Sequence, residues 1–416
     1  MSDEQARGTE SRCPVADWAT DYDIFDDDYV RDPGPVWNEL RERCPIAHST
    51  RWGGSYLPTR YEDLQAMVRM VPALSSHSVT VVPPDPELRE QLVKEVKEYG
   101  SETPPITSDP PEHIPYRRLI LPFFAPKAVA GHRAYTETLC EDLISRFRDR
   151  GRCDAAVEYA QQIPPRIIAH VLGIDPDRAD EFTEWTRGLL ELGQTQPELR
   201  MKYRGIVRDF FAEMVAERRA RPRDDMVSKL IASEVEGEAL SDYKVIGICN
   251  LLLVAGIDTT WSSIGSAMYH FASTPSDRHR LAAEPELLPG AVEELLRFYA
   301  PVTMARKVSE EVTLGDVTFH PGEKVLLNFP AANRDPSAFE RADEVVIDRK
   351  RNRHIAFGVG IHRCAGSNLA RMEMEIAIGT WFRHIPEFEL EDPAAVRWIG
   401  GQVRGPREVP VVFPAG

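Results

Sequence analysis

The sequence predicts a mainly α chain with small β-sheets, an α+β arrangement. Three observations carry this. Apolar residues recur at helical spacing over most of residues 114–390, Ser241–Ser273 reads as one long apolar helix, and strand-like runs are few and short.

Taken in order, residues 1–50 read as an irregular arm followed by a short helix, Pro35 to Arg43, with Val36, Trp37 and Leu40 as its apolar face. Short strands are expected near Ile46 and at Ser55–Thr59, then a helix at Tyr61–Val71. Residues 72–108 are proline-rich and irregular apart from a helix at Glu87–Tyr99. An irregular segment of that length inside a domain is usually functional or mobile. Helical patterns follow at Ile163–Leu172, Asp180–Leu192, Leu199–Arg219 and Asp225–Glu236, ahead of the long helix. Another lies at Pro289–Tyr299, and Leu369, Met372, Ile376 and Trp381/Phe382 mark an amphipathic helix near the end. Strand signals fall at Val312–Phe319, Lys324–Asn328 and Glu408–Phe413. No Gly/Ser linker, repeat or low-complexity tract divides the 416 residues, so 1–416 is expected to be a single domain large enough to bury a cofactor.

The formal net charge of −16, without a basic stripe interleaved with aromatics, excludes nucleic acid as a natural partner. The first residues are polar and acidic, with no apolar signal core. The longest apolar stretch, Ile246 to Ile257, is interrupted by Asn250 and too short to cross a bilayer. Six scattered cysteines lack metal-pair spacing and suggest no disulfide framework. The expectation is a soluble, cytoplasmic protein that touches neither nucleic acid nor membrane.

The most informative stretch is Phe357-Gly358-Val359-Gly360-Ile361-His362-Arg363-Cys364-Ala365-Gly366. It places one cysteine on a glycine-rich loop just before a helix, where the macrodipole and free N–H groups favour a thiolate. Gly358, Gly360 and Gly366 permit the tight backbone that lets a flat ligand approach the sulfur. Such a thiolate reads as an axial ligand to heme iron. For a lone cysteine, a buried structural thiol would be the plainer reading.

This loop resembles the heme-binding loop of the cytochrome P450 monooxygenases, and segments across most of the chain agree with it. The resemblance implies a P450 fold of the soluble bacterial type, with the heme buried between the long central helix and the cysteine loop. It implies heme b (iron protoporphyrin IX) with Cys364 as metal ligand. It also implies a monooxygenase that inserts one oxygen atom from O2 into a small apolar organic substrate by hydroxylation, epoxidation or oxidative dealkylation.

Ala255-Gly256-Ile257-Asp258-Thr259-Thr260 lies inside the long helix. An acid and an alcohol are costly in a buried helix unless paired, and threonines back-bonding to carbonyls is the structural alternative. The segment is similar to the P450 oxygen-activation motif, which implies a widened helix groove, Thr259 hydrogen-bonding the oxygen being activated and Asp258 relaying protons.

Glu294 and Arg297 share a helix face at i, i+3, where most pairs are solvated and weak. The resemblance makes them a buried structural brace. It places Glu344 and Val345 where Arg and Phe are usual, so Arg341 is offered as the third member.

Four residues match family positions that hold the heme propionates: His113 and Arg117 at i, i+4, Arg306 after Pro301–Ala305, and His362 two residues before the cysteine. Each singly would pass for a surface or capping residue. Asp109 with Glu112 resembles a capping box for the helix that carries His113, and Pro115 is expected to kink its first turns.

Lys350, Arg351, Arg353, Arg363 and Arg371 cluster around the cysteine loop against the acidic whole. A solvated face is the ordinary meaning; docking of an acidic ferredoxin or flavodoxin is the functional one. No G-x-G-x-x-G follows a strand, so electrons are expected from a separate ferredoxin and its reductase. Val81, Val82, Ile106, Leu190, Leu252, Ala255, Val302 and Thr303 are expected to line an apolar pocket. A heme-based sensor or gas carrier and a peroxide-driven enzyme are the rival readings. Neither requires the Asp258–Thr259 pair.

Overall fold

The computed structural model describes residues 14–99 and 102–415. Its axis is the central helix, Asp242–Ser273, which starts on the Ser241 side chain capping the Lys244 N–H. By length and composition this helix could cross a membrane. Ile248, Leu253, Ile257, Trp261, Ile264 and Phe271 are all buried in the largest core, however, so it is the core helix of the fold.

Around it pack the helices Ile163–Leu172, Ala179–Leu190, Pro197–Ala220 and Ser367–His384. The last of these buries Leu369, Met372, Ile376 and Trp381, the periodicity seen in the sequence. A five-stranded sheet stands to one side, ordered Ile46–Ser49, Ser55–Pro58, Lys324–Leu327, Met304–Val308, Leu74–Ser75. Its register sets Arg306 opposite Val325. Near the C-terminus Arg397–Ile399 pairs with Gly405–Glu408, and Pro410–Val412 joins Glu389–Leu390 and Arg152–Asp154.

Three differences from the sequence reading have local causes. The helix expected over Asp225–Glu236 ends at Ile231, and a hairpin of Glu234–Val235 with Glu238–Ala239 follows. Its turn residues Glu236 and Gly237 both have positive φ, which suits a tight hairpin turn. The Tyr61 helix stops at Met67, and the chain then turns to deliver Leu74–Ser75 to the sheet edge. Met304–Val308 is a central strand that the charged Arg306-Lys307 pair hid from pattern reading.

Candidate functional site

A cavity of about 520 Å³ lies between the central helix, the cysteine loop and the helix Pro197–Ala220. Cys364, Thr259, Arg117, Arg306 and His362 all line it. Five of the seven sequence-predicted site residues thus share one chamber.

Cys364 follows a short turn at Gly360–His362 and precedes the helix Ser367–His384. Its N–H donates to the Phe357 carbonyl at 2.8 Å, closing the loop. Gly358 and Gly360 have φ of +66° and +75°, so the loop's path needs glycine there. Gly366 differs from the expectation: its φ is −81°, and a Cβ would lie 4.0 Å from the sulfur. It keeps space beside Sγ. Burial pushes the Cys364 thiol up, outweighing the Gly366 N–H and the charges of Arg117, Arg363 and Arg371.

The loop is braced from behind. Arg371 donates to both carboxylate oxygens of Glu293, with one contact at 2.9 Å, and stacks 4.5 Å from the Phe357 ring centre. Arg371 therefore leaves the expected basic cluster, whereas Lys350, Arg351, Arg353 and Arg363 are exposed. Glu294 and Arg297 are wholly buried and joined by contacts of 2.9 and 2.8 Å. Their third partner is Arg349, whose Nε donates to Glu294 at 2.8 Å. Arg341 instead pairs with Glu344 in solvent. Asn352 and the Val346 N–H complete the shell around Glu294.

Cations gather on one side of the chamber. Arg306 is buried in the sheet and, with no ion-pair partner among the described residues, is lowered by burial to about 10 against the pull of Asp109. Burial, Arg306 and His113 hold His362 neutral, down to about 3, while its Nε2 meets Ser76 Oγ at 2.9 Å. His113 does not line the cavity, but its ring lies 4.4 Å from that of His362 and both its nitrogens are buried without partners. Arg117 reaches the Arg363 carbonyl. The expected capping box does not form: the Asp109 carboxylate accepts from Ser75 and Ser76, and Glu112 pairs with Lys244 at 2.8 Å. Pro115 sits third in the helix His113–Ile120, where no helical partner for an N–H exists, and leaves the helix intact.

The central helix runs through Gly256 without a break, and Gly256 makes room for Ile168, whose Cδ1 a Cβ would strike. Thr259 donates to the Ala255 carbonyl at 2.9 Å, the back-bonded arrangement. Asp258 does not line the cavity. It is buried, accepts from Arg407 at 2.7 Å and leaves Oδ2 without a partner. Burial raises its pKa, with Arg407 pulling the other way. Arg407 also holds Glu191 at 3.0 Å.

Of the expected apolar lining, Ile106, Leu190, Leu252, Ala255 and Val302 face the chamber. Val81 is packed in the second core and Thr303 is buried at a backbone contact with Gln402; neither they nor Val82 line it. Sequence reading missed Arg407 and Glu373. Glu373 lines the cavity with Oε2 buried and unpartnered, and burial raises its pKa well above the usual range. Its only signal was an acid at a position the helical period assigns to the buried face.

The family model for cytochrome P450 matches residues 179–396. Cytochrome P450 107B1 of Saccharopolyspora erythraea is 32% identical over 409 residues, covering 93% of this chain and 96% of that protein. The mycinamicin IV hydroxylase/epoxidase of Micromonospora griseorubida is 32% identical over 385 residues, covering 91% and 94%. The structure of the bacillaene polyketide synthase cytochrome P450 PksS of Bacillus subtilis 168 superimposes with a TM-score of 0.84 at 28% identity, covering 94% and 99%. The chain belongs to the cytochrome P450 family and has its fold. It is an oxidoreductase of the monooxygenase class, and the family implies a thiolate-ligated heme iron, O2 and a redox partner.

The residues present fit that group. An accessible sulfur lines a chamber large enough for a planar ligand, and cations and two orphaned imidazole nitrogens stand ready for its anionic edge.

Proposed function

We propose that residues 1–416 form a single cytoplasmic heme domain that inserts one oxygen atom from O2 into an apolar organic substrate, by hydroxylation, epoxidation or oxidative dealkylation. The observation that carries this reading is Cys364 and Thr259 lining one chamber, with Arg117, Arg306 and His362 in the same wall.

In this reading Cys364 ligates the iron of heme b, and His113, Arg117, Arg306 and His362 hold the propionates. Heme iron bound through a thiolate supplies O–O cleavage, favoured by the electron density of sulfur. The Thr259 hydroxyl spends its proton on the Ala255 carbonyl, so its oxygen lone pairs are free to accept a hydrogen bond from a protonated atom in the chamber. Burial makes Asp258 hold a proton more readily than an ordinary aspartate, and its contact with Arg407, which favours the carboxylate, promotes release of that proton. The apolar wall excludes bulk water, so such delivery has little competition.

Electrons come from a separate ferredoxin or flavodoxin on the face bearing Lys350, Arg351, Arg353 and Arg363. Their exposed charges complement an acidic partner. Reduced protein exposed to CO tests the ligation: a red-shifted, thiolate-type Soret band is expected, and a band at the imidazole-type position refutes it. Product formed with a surrogate ferredoxin and reductase separates turnover from gas sensing.

A further inference from the structure

Two polar side chains stand in the apolar wall of the chamber without partners among the described residues. Arg200, in the first turn of the helix Pro197–Ala220, lines the cavity half-buried and makes no hydrogen bond or ion pair with any described residue. Its neighbour one turn on, Arg204, is fully committed to Glu95 and Glu102, the latter at 2.9 Å. Asn250, the residue that interrupts the apolar run of the central helix, also lines the cavity. Its Oδ1 is buried without a partner, and its Nδ2 donates to no described residue.

The two belong to one end of the chamber. Glu102, whose charge acts on Arg200, lies with its carbonyl over Gly247, and Gly247 and Asn250 share a face of the central helix at i, i+3. Asn250 lies nine positions before Thr259, about 13.5 Å along the helix axis.

A half-buried guanidinium without an anion costs stability, and a buried amide left unpaired adds to that cost. Mostly apolar cavities use a few such groups to fix a ligand's orientation. We propose that Arg200 and Asn250 form an anchoring subsite for a carboxylate. The substrate is then an apolar organic acid whose anionic group is held away from the carbon that is oxidised. A monoanion is favoured over a dianion because Asp85 and Glu102 also act on Arg200, and Asp85 Oδ2 is itself buried without a partner. This inference rests on the monooxygenase reading for the oxidised carbon but not for the anchor.

The test titrates the heme-loaded protein with dodecanoate and with abietate, each beside its methyl ester, following the low-spin to high-spin shift. At least one carboxylate is expected to bind with a Kd roughly tenfold or more below that of its ester. Arg200→Met should erase that preference while leaving ester affinity in place, Arg200→Lys should keep part of it, and Asn250→Leu should weaken it by a smaller factor. Esters binding as tightly as acids to the unmodified protein would overturn the proposal. So would a preference that survives Arg200→Met, or no binding of either acid up to its solubility limit. The reduced-CO band of the same preparation is read alongside. If that band fails, the heme reading falls, and calorimetric titration of the same acids and variants still decides the anchor.

Discussion

Arg349→Met is the sharpest check on how the fold is braced behind the cysteine loop. Arg349 donates to Glu294 at 2.8 Å and to the Glu340 carbonyl at 2.6 Å, with its side chain only 9% exposed against a Glu294 that is 0% exposed. Removing it takes one charge-assisted bond from a buried carboxylate, while the Glu340 carbonyl it also serves is exposed and takes water in its place. Bonds to charged groups contribute about 1.5–3 kcal/mol. Glu294 still keeps Arg297, Asn352 and the Val346 N–H, so the loss stays within about 3 kcal/mol and does not reach the full cost of an orphaned charge. Arg341→Met removes only a pair that is 57% and 56% exposed, where the cost is at most about 0.5 kcal/mol. For a chain of this length, 3 kcal/mol lowers the melting temperature by about 3–4 °C. Scanning calorimetry of both variants, with a double-mutant cycle against Glu294→Gln, measures the difference. Coupling should appear for Arg349 and vanish for Arg341. Equal losses in the two variants, or none for Arg349, would refute the reasoning.

Thr259→Ala removes the hydroxyl oxygen that accepts a hydrogen bond in the chamber, so peroxide released per electron pair should rise severalfold while substrate affinity holds; an unchanged ratio in a coupled peroxide assay would remove Thr259 from the chemistry. Glu293 gives a pH signature. Burial works to raise it, but hydrogen bonds from His354 and Arg371 win and hold it at about 2. A depressed carboxylate stabilises the fold fully above its unfolded value of about 4.5, and that contribution fades as pH falls toward 2. At most about 3 kcal/mol is at stake. Glu293→Gln should therefore be less stable than the parent at pH 7, with the gap narrowing below pH 4.5 and closing only as pH falls through about 2, as read by denaturant titration.

The central helix and the cysteine loop were legible because their signals are local. A 3.6-residue period, two glycines that must take positive φ, and a cysteine at fixed spacing are all written within a few residues. Arg349 was not legible, because nothing in its neighbourhood says that a residue 55 positions from Glu294 reaches it while Arg341 turns to solvent. Arg407 failed for the same reason, since its grip on Asp258 spans 149 positions. The capping box failed differently: Asp109 and Glu112 had the right spacing, but Ser75 and Lys244 made competing tertiary bonds.

The absence of a side chain at Gly247 has a practical consequence. Even one methyl group there would collide with the Glu102 carbonyl oxygen, so the strap carrying Glu102 rests directly on bare helix backbone. The ceiling height of the chamber is keyed to that single missing group. Anyone wishing to enlarge the pocket for a bulkier guest thus has a lever three turns of helix away from Thr259, where steric pressure lifts the strap and leaves the sulfur and its bracing untouched.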